Sequence, residues 1–161
     1  MVVTDALGLP VALGPGDSGF IAPSADGSLL SAFDGFGARL ADLWRGPDAS
    51  ATTAAWSPDS SMIIVAGAPG GTLRAAIFPT DTWVAVDLSG GPLGRATGPL
   101  GLRWTPNGER FALASSLGVH VFSRSGELMW GSTMDGIRGN VRWSPDGTYL
   151  HVYASTPGVD G

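Results

Sequence analysis

The chain has 161 residues, the length of one domain, and carries 25 Gly, 12 Pro, no Cys and a formal charge of −5. Every basic residue is Arg, nearly every acid is Asp, and Gln is absent, so turn formers outnumber strong helix formers and a helical bundle is excluded. The acidic balance excludes an electrostatic grip on nucleic acid or on an anionic membrane, which need a basic stripe, and the missing cysteine excludes disulfides, thiolate metal sites and cysteine nucleophiles.

In chain order, Val2-Val3-Thr4-Asp5 opens the sequence with no basic n-region, so no export signal is visible and a cytoplasmic location is the default. Residues 2–11 read as a strand, a turn and a further strand, half of a larger unit. Gly16-Asp17-Ser18-Gly19 has the look of the nucleophile segment of trypsin-like proteases. That chemistry needs a His base held by a buried Asp, and no His precedes it, so a turn is expected. Ser24-Ala25-Asp26-Gly27 is a degraded copy of the element that dominates the rest of the chain, with Pro23 where the other copies carry Trp.

That element appears in full three times, as Trp56-Ser57-Pro58-Asp59-Ser60, Trp104-Thr105-Pro106-Asn107-Gly108 and Trp143-Ser144-Pro145-Asp146-Gly147. Its spacing falls in the range of about 40 to 50 residues expected of propeller blades. The flanks agree, since Ala54, Leu102 and Val141 precede each Trp at the same offset, and Ile63, Phe111 and Leu150 follow it. Pro presets φ for the first corner of a β-turn, Asp or Asn caps the turn through its side chain, and Gly accepts positive φ, so each copy makes a hairpin. The Trp ends the incoming strand with a large apolar surface and one N–H donor, which suits packing between neighbouring sheets.

A second block follows the first. Val84-Ala85-Val86-Asp87 through Leu93 lies over Val119-His120-Val121-Phe122 through Leu128, which brings each repeat to four strands, with an insert around residues 72–79 in the second. The expected fold is all-β: a propeller of about four four-stranded antiparallel blades in a single domain, with repeats at 15–47, 48–97, 98–136 and 137–161 with 1–14. Half a repeat at each end would expose sheet edges that need cover. Foremost, the hairpin of residues 2–13 joins that of 138–154 as one composite blade; a homodimer or a hetero-assembly would complete the ring otherwise.

On the residues WSPDS, WTPNG and WSPDG and their following strands, the chain resembles the WD40-like, PD40-type repeat of TolB-like β-propellers and of the propeller domains of prolyl-oligopeptidase-type peptidases. The resemblance implies a propeller and says little about activity. No G-x-S-x-G elbow of those peptidases is present.

The remaining candidates are few. His120 and His151 lack any metal-ligand spacing and read as strand residues hydrogen-bonded locally, and no cofactor is expected. Aspartates 59, 87, 135 and 146 read as turn residues rather than a catalytic pair. Arg103 and Arg142 each precede a motif Trp on the strand nearest the axis, where they would grip an acidic ligand or pair with Asp59 or Asp146 of the neighbouring blade. Trp44, Trp83 and Trp130 lie outside the motif, and Trp130 is the candidate partner contact. With no catalytic set in view, the expected function is a non-catalytic protein-interaction module with a protein partner; the alternative is a ligand-binding or enzymatic propeller using a central pocket.

Overall fold

The computed structural model describes residues 12–46, 53–68, 71–89, 91–134 and 137–154. The expected strands at 2–11, and with them the composite blade, lie outside the described residues.

The hairpins form for the local reason the motif suggests. In each turn the Ser or Thr hydroxyl donates to the Asp or Asn side chain two positions on: Ser24 to Asp26 at 2.6 Å, Ser57 to Asp59 at 2.6 Å, Thr105 to Asn107 at 2.7 Å and Ser144 to Asp146 at 2.5 Å. The same hydroxyl accepts the amide that restarts the next strand, from Leu29, Met62, Arg110 and Tyr149. The third corner is left-handed in all four, at Gly27, Ser60, Gly108 and Gly147. Gly108 is needed twice over, because its φ is 70° and an added Cβ would lie 3.3 Å from the Pro58 ring.

These hairpins build an all-β molecule, with a 3-10 turn at Gly91–Leu93 among the described residues. The first sheet runs β1 (Ala12–Leu13), β2 (Phe20–Pro23), β3 (Leu29–Phe33) and β4 (Arg39–Arg45). The second runs β5 (Thr53–Trp56), β6 (Met62–Gly67), β7 (Arg74–Pro79) and β8 (Val86–Asp87). The third runs β9 (Pro99–Trp104), β10 (Arg110–Ser115), β11 (Gly118–Ser123) and β12 (Leu128–Thr133). The fourth, among the described residues, holds β13 (Ile137–Trp143) and β14 (Leu150–Ala154), and most of the stretch expected to complete it, residues 1–14, lies outside them. All pairings are antiparallel, and the sheets follow one another with β1 beside β5, β5 beside β9 and β9 beside β13.

The core is divided among the gaps between successive sheets. Strand alternation sends Ile63 and Val65 of β6 toward the first sheet, to join Ile21, Leu30, Ala32 and Leu43. It sends Ile64 and Ala66 toward the third, to join Leu102, Phe111 and Leu113. From β10 the opposite residues, Ala112 and Ala114, pack with Val119, Val121 and Val141 against the fourth sheet. Each middle strand is thus buried on both faces, which is why it reads as a continuous apolar run.

Two expectations about register are corrected. Pro23 does not hold the Trp position: the first sheet starts at Ala12, before the repeat boundary expected at 15, and Leu13 ends its first strand, while Ser24–Gly27 links the second and third strands. The turn at 14–19 closes with Gly14 N–H donating to Gly19 at 2.8 Å, the same closure Ser24 makes to Leu29. A Ser-x-Asp-Gly sequence marks a hairpin turn and does not say which strands it joins. The second correction concerns the block at residues 84–93. The segment read as an insert is β7, the third strand, with Leu73, Ala75 and Ile77 on one buried face and Ala76 and Phe78 on the other. Val86–Asp87 is only a short fourth strand, whereas its proposed counterpart Val119–Phe122 is the third strand β11.

Candidate functional site

The motif residues lie at the ends of first strands and in the turns that follow them. Trp56, Trp104 and Trp143 each close a first strand and pack back on the preceding sheet. Trp104 Nε1 donates to the Ala55 carbonyl at 3.2 Å, and Trp143 Nε1 donates to the Arg103 carbonyl at 3.0 Å. In both cases the acceptor is the residue just before the Trp position of the preceding repeat. Trp56 Nε1 is buried and has no partner. Pro58, Pro106 and Pro145 sit at exposed turn corners, and Asp59, Asn107 and Asp146 anchor the turns.

Neighbouring turns are tied by a residue the sequence did not single out. Arg124, in the turn after β11, donates to the Asp59 carboxylate at 2.7 Å, to the Ser61 hydroxyl, and to the Gly108 carbonyl at 2.9 Å. It therefore clamps the second and third turns together. Arg110 does related work one repeat later, lying 5.7 Å from the Trp143 ring centre and donating to the Gly147 carbonyl at 3.3 Å. The ionic role expected of Arg103 or Arg142 toward Asp59 thus belongs to Arg124. Arg103 and Arg142 lie on first strands β9 and β13 with exposed side chains, and Arg103 donates to the Leu102 carbonyl at 2.7 Å. No sequence spacing encodes the reach of Arg124, because it bridges residues brought together only by sheet packing.

The titratable groups behave as structural ones. The Ser24 hydroxyl, then the Ser28 amide and hydroxyl, hold Asp26 down at about 2, and Ser144 with Thr148 does the same for Asp146. Asp59 is held well below the usual carboxylate range, first by Ser57 and, against a burial cost, by Arg124 and Ser61. His120 is buried on β11 with Nδ1 lacking a hydrogen-bond partner, in place of the local bond expected, and burial pushes its pKa down and keeps it neutral. His151 is exposed on β14. Among the described residues no group of three or more His, Cys, Asp or Glu is placed to hold a metal ion. Ser18, in the segment with the protease look, donates its hydroxyl to the Pro15 carbonyl at 2.6 Å within a turn.

Two surface features remain. An open groove of about 510 Å³ runs between the outer strands of the first and second sheets, lined by Leu43, Trp44, Arg74, Phe78, Asp87 and Ser89 among others. Its mouth carries both signs of charge, and Ser89 holds Asp87 ionised through its hydroxyl and amide, with Arg74 adding to the effect. No residue of the first strands β5, β9 or β13 lines it.

The second feature is the outer strand of the third sheet. Leu128, Met129 and Trp130 of β12 are 44%, 55% and 51% exposed, in a row, and Leu117 and Met134 are exposed beyond the other end of the strand. Trp44 and Trp83 are instead half-buried against the core between the first and second sheets. Of the extra-motif tryptophans only Trp130 faces solvent. The signal available in the sequence was the run of three large apolar residues without alternation, which a half-buried strand would not carry.

No helix among the described residues is long and apolar enough to cross a membrane. No family model matches the sequence, and no curated protein matches it.

Proposed function

We propose that the chain is a non-catalytic protein-interaction module of the β-propeller kind, its sheets being consecutive blades of a WD40-like, PD40-type array. Three points support the reading: the recurrence of the Trp-x-Pro-Asp-Gly hairpin, the order of strands within each sheet, and the stacking of first strand beside first strand. The observation that carries the function is β12, where aromatic and aliphatic side chains gather on an outer strand without any charge among them. Trp is a usual anchor of such contacts.

A photocrosslinking residue at position 130 of the full chain, expressed in its native cells, tests this. The expected result is one discrete protein adduct that is lost when Met129→Lys is added and is absent when the crosslinker sits at exposed Asp17. Adducts that are equal at both positions would contradict it. A second reading rests on Arg103 and Arg142, two exposed guanidinium groups on first strands, which suit an anionic ligand. It requires that Arg103→Ala with Arg142→Ala abolish binding of the partner while Trp130→Lys leaves it intact.

A further inference from the structure

The three outer strands of the four-stranded sheets end in different ways. β4 is guarded by charge: Arg39 and Arg45 both pair with Asp42, the latter at 2.5 Å. β8 is guarded by brevity, since only Val86 and Asp87 pair with β7. β12 has neither protection. It is six residues long, Leu128–Thr133, contains no charged residue and no proline, and among the described residues pairs only with β11, on one side. An exposed edge of this length is a template for another strand unless charge, proline or a bulge blunts it. The one irregularity of the β11–β12 ladder lies between Val121 and Phe122, at the Leu128 end, and leaves Trp130 to Thr133 in regular register.

The chemistry of the occupant follows from which faces are bare. Residues paired across a ladder share a face and successive residues of a regular strand alternate, so exposed Leu128, opposite Phe122, and exposed Trp130, opposite Val121, lie on the two faces of the third sheet. A globular partner resting on one face would leave the other uncovered. An extended segment lying alongside the edge places its own side chains alternately on both faces and covers both. Glu127 is exposed at the start of the strand, and β12 offers no cation to an acidic segment.

We infer that β12 is a strand-addition site: it accepts an extended protein segment with apolar side chains at alternate positions, no acidic residue, and a basic residue where it passes Glu127. This rests on the interaction reading above and goes beyond it by naming how the partner is held. Main-chain hydrogen bonds would supply affinity and the alternating side chains specificity.

The test uses the full chain and a fluorescein-labelled synthetic peptide of about eight alternating Val and Thr residues ending in Arg, a typical strand length. Two further versions carry N-methyl groups on alternate amides in opposite phase. Because a strand's amides point alternately toward and away from its neighbour, one phase should lose affinity by about tenfold or more, about 1.4 kcal/mol, while the other retains it. Trp130→Lys should abolish binding with an unchanged melting temperature, and amide exchange should slow at residues 128–133 and not in β4 or β8. Equal affinity for both N-methylated phases would overturn strand addition while leaving a side-chain contact at Trp130, and so the interaction reading, in place. Failure of every peptide to bind, or binding indifferent to Trp130→Lys, would overturn the site itself. Association of the chain with itself that is abolished by Trp130→Lys would make a second copy the occupant and overturn the assignment to a partner segment.

Discussion

The junction between the second and third sheets and the junction between the first and second use the same device with different completeness. At the former, Trp104 tilts against Phe111 with ring centres 5.2 Å apart, Phe111 stacks on Phe122, and the indole N–H reaches the Ala55 carbonyl. At the latter, Trp56 is equally buried but its N–H finds no acceptor, the preceding strand ends in Leu13, which is 75% exposed, and the turn after Trp56 holds Ser60 where its counterparts hold Gly. Burial of the aromatic is common to both junctions and the hydrogen bond is not. What the repeat preserves is therefore apolar area between sheets, and the polar link is an addition that some junctions lack.

The largest way to break that comparison is Trp104→Ala. It removes a buried aromatic, its ring contacts and its hydrogen bond, and should destabilise by about 3 to 5 kcal/mol in chemical denaturation. Trp104→Phe against Trp56→Phe sharpens it. The first leaves the Ala55 carbonyl without its donor, while the second deletes a donor that had no acceptor, so the first should cost about 1 kcal/mol more. Equal costs would mean that the hydrogen bond contributes nothing to the difference.

Arg124→Ala comes next. The clamp is partly solvated, with Arg124 and Asp59 side chains 32% and 55% exposed, so its removal should cost about 1 kcal/mol, and less at high salt. Ser60→Gly acts in the opposite direction. At φ 62° a non-glycine residue is strained, and relief of that strain less the backbone entropy of Gly should stabilise the chain by up to about 1 kcal/mol. The same change at an extended strand residue would destabilise.

The smallest effect is on acid stability. Asp26 and Asp146 have folded pKa values near 2, and Asp59 is also lowered, whereas an unfolded Asp titrates near 3.9. A depressed folded value means that the stabilisation is complete above the unfolded value and is lost as pH falls from about 4 toward 2. The turn at Thr105–Gly108 uses Asn107 and has no such dependence. Asp146→Asn should therefore flatten the fall in melting temperature across that window without changing the fold.

Trp56, Trp104 and Trp143 with their turns declare hairpins and inter-sheet packing, because turn chemistry and strand alternation are local. The register of the first sheet is hidden in the sequence because Ser24-Ala25-Asp26-Gly27 is an equally good turn one hairpin later, and because no Trp marks the end of its first strand at Leu13. β7 reads as an insert in the sequence because Arg74–Pro79 is buried on both faces and lacks the alternation of a half-buried strand. At the candidate site, Trp130 was visible as a residue outside the motif, but Arg124 and the bareness of β12 depend on tertiary placement that no local pattern records.

Solvent exchange of the individual indole N–H groups in two-dimensional NMR separates motif tryptophans that act as joints between sheets from the exposed Trp130 of the proposed partner surface on β12. Slow exchange is expected for Trp56, Trp104 and Trp143, with a hydrogen-bonded shift for Trp104 and Trp143 but not for Trp56, and fast exchange for Trp130. Protection of Trp130 equal to that of Trp104, or fast exchange at Trp104, would contradict this separation.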